Sequence, residues 1–162
     1  MRIARALPIA GAIVLGTART ALAQTATQTV TFQVTAINQI SITGAAPTLI
    51  VNTAVAGSAP TTATSSGITW AVTTNQTAAK INASIPSNMP AGLTLSADLG
   101  APGGAASTGN QALSTTAVDL VTGITKLNSS GLSLTYSLDA TTAAGVVASG
   151  TRVVTFTIYG GT

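Results

Sequence analysis

The acidic side chains of this 162-residue sequence are Asp98, Asp119 and Asp139, and it contains no His, Cys or Glu. A serine nucleophile is therefore without its usual base, thiolate catalysis is ruled out, and no His- or Cys-ligated zinc or copper site can be built. Paired aspartates are the acid–base device that remains. Each of the three stands alone at a strand end or turn, with no carboxylate close by in sequence. Solvated or turn-capping roles suit them better than catalysis, so no enzymatic activity, cofactor or metal is expected. Calcium would need a loop of closely spaced Asp and Asn oxygens, and the sequence has none.

Carbohydrate recognition would call on aromatic side chains. Beyond residue 23 these are Phe32, Trp70, Tyr136, Phe156 and Tyr159. The first four share the parity of their apolar neighbours and are expected in the core; Tyr159 falls on the opposite face and is expected to be exposed. Sequons at Asn75, Asn82 and Asn128 occur about as often as chance predicts in a chain so rich in Ser and Thr, and suggest no more than a surface position.

The first residues read as an export leader. Arg2 and Arg5 precede an apolar core, Ala6 to Ala18, and Ala21-Leu22-Ala23 offers the small-x-small site of a signal peptidase. Residues 1–23 are therefore expected to be a signal peptide, with the mature chain starting at Gln24 and secreted to the extracellular space or cell surface. Cleavage removes Arg2, Arg5 and Arg19, and the remainder balances Lys80, Lys126 and Arg152 against the three aspartates. Three scattered cations cannot form the basic cluster that nucleic acid requires, nor a polybasic membrane face. Membrane insertion of the mature chain is not expected either: a barrel would show aromatic girdles and longer alternating runs.

Ordinary soluble domains carry about a quarter charged residues. With so few, this chain either stays dissolved through its hydroxyls or is built to associate. Its 139 mature residues include 28 Thr and 14 Ser. Thr, Val and Ile favour pleated, half-buried surfaces, which points to β structure.

Alternating runs separated by turn residues confirm that direction. They fall at Leu49 and Val51; Ile68, Trp70 and Val72; Ile81, Ala83 and Ile85; Leu93 to Leu99; Val118 and Leu120; Leu132 to Leu138; and Val154, Phe156 and Ile158. The spacing predicts an all-β, Ig-like or jelly-roll sandwich of about eight to ten strands in a single domain, residues 39–162, preceded by an extended N-terminal strand, residues 24–38. Gly100 to Gly109 is expected to be the most flexible loop. Ala-dense stretches at Ala78–Ala83 and Thr141–Ala148 are short enough to be strand connections, with a turn or two of helix as the alternative.

The N-terminal stretch, Gln28 to Ile42, is unusually long. Fifteen extended residues reach about 50 Å, whereas a domain of this size is about 37 Å across. The run must bend or leave the domain. Val30, Phe32, Val34 and Ala36 share one parity, Ile37 breaks it, and Asn38-Gln39 marks a bulge or hinge before Ile40 and Ile42 resume. Two arrangements follow. Either Gln28–Ala36 pairs within its own sandwich and Gln39–Thr43 crosses to the other sheet, or the first part is an arm that adds a strand to a neighbouring copy.

The C-terminal segment Ala144-Gly145-Val146 through Ser149-Gly150-Thr151-Arg152-Val153-Val154-Thr155-Phe156-Thr157-Ile158 resembles the last hairpin of the Ig-like subunits of bacterial fimbriae and of spore-coat-U-like secreted proteins. The layout of signal peptide, alternating N-terminal stretch and Thr-rich sandwich is similar too. This resemblance implies a structural subunit of a surface filament, a homopolymer joined by strand exchange with or without an assembly chaperone. Val30, Phe32, Val34 and Ala36 would then be donor positions, and Val154, Phe156 and Ile158 would lie beside the acceptor groove. A monomeric secreted adhesive or carbohydrate-binding module is the alternative, and an amyloid-like matrix protein a further one, since Thr29–Val34 is uncharged and β-prone.

Overall fold

The computed structural model describes residues 22–161, so the expected leader lies almost entirely outside the described residues. The chain divides into two units, Met1–Gln33 and Val34–Thr162. In the first, the described residues 22–33 form no helix or strand and are exposed. The second unit holds the regular structure of the described residues.

Ten strands make up that unit: β1 (Asn38–Thr43), β2 (Ala63–Thr64), β3 (Ile68–Thr74), β4 (Ala79–Ser84), β5 (Leu93–Leu99), β6 (Ala106–Ser107), β7 (Gln111–Ala112), β8 (Val118–Ile124), β9 (Leu127–Ala140) and β10 (Thr155–Tyr159). They form two antiparallel sheets. One has the order β1-β3-β9-β5-β7 with β2 also on β9, and the other has the order β10-β4-β8-β6. The sandwich expected from the alternation is the fold observed.

Period-two patterning explains the core. In β3, Ile68, Trp70, Val72 and Thr74 are buried while the residues between them are more exposed. Ile81 and Ala83 of β4 and Leu120 and Ile124 of β8 meet them from the other sheet. Trp70 donates its Nε1–H to the Gly100 carbonyl at 3.2 Å, so its one polar atom is satisfied inside the core. β9 is the spine, pairing with β3 through its first half and with β5 through its second. Between Leu132 and Ser129 two β9 residues oppose the single Ala71, a bulge in which Gly131 takes φ 68°.

Several local expectations change. Leu49 packs on the core from a loop, and Leu49–Val51 forms no strand because no neighbouring backbone pairs with it. The Ala-dense stretch at Ala78–Ala83 is β4, its alternation overriding helix propensity, and Thr141–Ala148 keeps only a single 3-10 turn, Thr142–Ala144. The glycine-rich loop contains β6, with β7 just after it.

The C-terminal segment is not a hairpin. β9 and β10 lie in different sheets, and β10 pairs with β4, Phe156 opposite Ala83 and Ile158 opposite Ile81. Residues 145–154 are the link that carries the chain from one sheet to the other. The long N-terminal strand also shortens: pairing begins at Asn38, opposite Thr74, and Gln28–Ala36 forms no strand in its own sandwich.

Candidate assembly surface

The three carboxylates are dispersed. Asp98 on β5 accepts from Ser107 Oγ at 3.3 Å, Asp119 on β8 pairs with Lys80 Nζ at 3.0 Å, and Asp139 on β9 accepts from Thr62 Oγ1. Asp98 lies opposite Thr135 and Asp139 opposite Thr94, which separates them by four ladder positions, about 13 Å. Asp119 belongs to the other sheet. Each therefore serves a local polar contact. Among the described residues no three His, Cys, Asp or Glu side chains cluster as a metal site would require, and no helix is long and apolar enough to cross a membrane.

The sheet edges are more informative. Of the five strands bonded to a single neighbour, β2, β6 and β7 are only two residues long, which leaves little backbone for another strand to pair with. The other two, β1 and β10, have six and five residues and carry no charged side chain. They lie next to each other at one side of the sandwich without pairing. They converge at one end, where Gly160 comes so close to Asn38 that a Cβ on the glycine would sit 2.6 Å from Asn38 Nδ2.

β10 alternates cleanly. Phe156 and Ile158 are half-buried against the core, as is Val154 just before the strand, while Thr155, Thr157 and Tyr159 are exposed. Phe156 meets Tyr136 of the opposite sheet in a tilted pair, with centroids 6.5 Å apart. Burial raises the Tyr136 phenol above its ordinary pKa. One edge of β10 is bonded to β4; along the other, every second residue directs its N–H and C=O away from the sheet.

The expected donor positions are unpaired. Val30 is 74%, Phe32 91% and Val34 78% exposed, and Ala36 is exposed as well. Phe32 thus departs from the core position its parity suggested, whereas Trp70, Tyr136 and Phe156 follow it and Tyr159 is exposed as expected. Among the described residues, none of Gln24–Val34 makes a hydrogen bond. The structure does not bring Val30, Phe32, Val34 and Ala36 together with Val154, Phe156 and Ile158 in a strand pair.

In the sequence Asn75 is marked only as part of a sequon. Its N–H donates to the Ile37 carbonyl at 3.2 Å, its Oδ1 accepts from the Ile37 N–H at 2.8 Å, and its Nδ2 donates to the Thr35 carbonyl at 2.7 Å. A shallow depression of about 370 Å³ lies beside it, bordered by Ile37, Thr73 and Leu127. No family model, curated protein or solved structure matches this chain.

Proposed function

We propose that this chain is a structural subunit of an extracellular or cell-surface filament, joined to its neighbours by β-strand complementation. Residues Val30, Phe32, Val34 and Ala36 of one copy add a strand along the free edge of β10 in the next, beside Val154, Phe156 and Ile158. The observation that carries this reading is a matched pair of unsatisfied features: an extended, uncharged segment with three large apolar side chains in the open, and an uncharged edge strand over a half-covered core.

Energetics favour the union. Burying Val30, Phe32 and Val34 contributes about 1.5–3 kcal/mol each, and the β10 ladder gains hydrogen bonds along its free edge. Thr29, Thr31, Gln33 and Thr35 fall on the other face of such a strand and remain in solvent. The partner is another copy of the same chain.

Removal of residues 24–36 tests the reading. The intact mature chain is expected to give heat-resistant ladders on a denaturing gel and filaments by electron microscopy, and the shortened chain neither. Ladders and filaments that survive the deletion would remove strand exchange through this segment.

A further inference from the structure

The geometry points to Asn75 as a positioning residue that carries the β1–β3 ladder on to Thr35 and keeps Thr35–Ile37 from folding back along its own β10. This inference rests on the strand-exchange reading above.

β3 ends at Thr74, opposite Asn38, and the β3 backbone then turns toward β4. Its ladder with β1 nevertheless continues. The Asn75 N–H bonds the Ile37 carbonyl at 3.2 Å, and the side chain then takes over, accepting from the Ile37 N–H at 2.8 Å and donating to the Thr35 carbonyl at 2.7 Å. A carboxamide has the same donor and acceptor as a peptide group, so the side chain stands in for the β3 residue that is no longer there. Gln76 Nε2 donates to Asn75 Oδ1 at 3.1 Å, and Thr74 Oγ1 donates to Asn38 Oδ1 at 2.7 Å, which hold the arrangement from both sides. Thr35 to Ile37 are thereby kept in line with β1.

That alignment has a topological effect. β1 and β10 converge at Asn38 and Gly160, so the arm starts from the end of β10 where the two edges already meet. To lie along its own β10 the chain would have to reverse within Thr35–Ile37, the residues Asn75 holds straight, and would then run parallel to β10. An arm from a second copy has no such tether and is free to enter antiparallel, the somewhat more stable pairing. Asn75 thus disfavours self-pairing and leaves the edge open to another copy. The same contacts give Asn75 a use unconnected with its sequon.

The experiment compares the mature chain with Asn75→Ala and Asn75→Asp at equal concentration, following the monomer-to-polymer ratio by size-exclusion chromatography and hydrogen exchange at the Ile37 amide. Asn75→Ala removes both side-chain bonds to Thr35 and Ile37, and the one from Gln76. Ile37 exchange should accelerate, and the monomer-to-polymer ratio should rise about tenfold. Asn75→Asp is isosteric and keeps the acceptor for Ile37 while losing the donor to Thr35, so it should fall between the two; it also serves as the test if the alanine variant fails to fold. Faster Ile37 exchange with an unchanged polymer fraction would overturn the inference, as would unchanged exchange. If the unmutated chain does not polymerise through residues 24–36, the strand-exchange reading fails first and this inference with it; if it does, and the variants match it, only the role of Asn75 falls.

Discussion

Val30-Thr31-Phe32-Gln33-Val34 and Val154-Thr155-Phe156-Thr157-Ile158 are nearly the same peptide, with Val-Thr-Phe in common and a β-branched residue two positions further on. Their structures differ. The second includes most of β10, its apolar side chains half-buried and its backbone paired with β4. The first forms no strand, and its Phe32 is 91% exposed. β-propensity is therefore similar in the two places and does not by itself decide; what separates them is whether a neighbouring backbone and an apolar face are supplied. The proposal amounts to saying that another copy supplies them for the first segment.

Substitutions can break this comparison. The largest effect is expected from Phe156→Ala, which opens a hole beside Tyr136 and should lower unfolding stability in urea by about 2–4 kcal/mol. Phe32→Ala should change the stability of the isolated molecule by less than about 0.5 kcal/mol, because nothing packs on the ring there, while weakening assembly. Equal stability losses in the two variants would show that Phe32 is buried within its own molecule. A smaller effect sharpens the comparison. Val34→Ile gives the arm the aliphatic side chain of the corresponding β10 position and adds one methylene, so polymers should resist denaturant by about 0.8 kcal/mol more per junction if that side chain is buried there. Polymers of unchanged resistance would place Val34 outside the contact.

The smallest effect concerns Tyr136, which the first segment has no equivalent of. Its phenol pKa is raised by burial, so the neutral form is the one the fold favours. Stability from this group is complete below the unfolded tyrosine value of about 10 and is lost as pH rises through the higher folded value. Alkaline titration followed by tyrosine absorbance should show one phenol ionising late, and Tyr136→Phe should remove that late step.

Much of the sandwich was legible in the sequence because a strand buried on one face must alternate. Ile68, Trp70 and Val72, or Leu95, Ala97 and Leu99, can be assigned to a core from parity alone. β2, β6 and β7 could not be found that way, since two residues carry no period. The C-terminal hairpin was misplaced for a related reason: the alternation of Val154, Phe156 and Ile158 marks a strand but is silent about whether its partner is the strand before it or one some seventy residues earlier. At the candidate site, the proposed donor positions were visible as a charge-free run too long for its globule. Asn75 was not, because its role depends on carbonyl and amide groups of Thr35 and Ile37, some forty residues away, and side-chain type gives no sign of them.

The uneven edges of the sandwich bear on the shape of anything it builds. Opposite the long uncharged pair formed by β1 and β10, the sheets finish in the two-residue strands β6 and β7. If neighbours join as proposed, a block that accepts a strand on only one flank extends as a thread, with no second flank from which to spread into a mat.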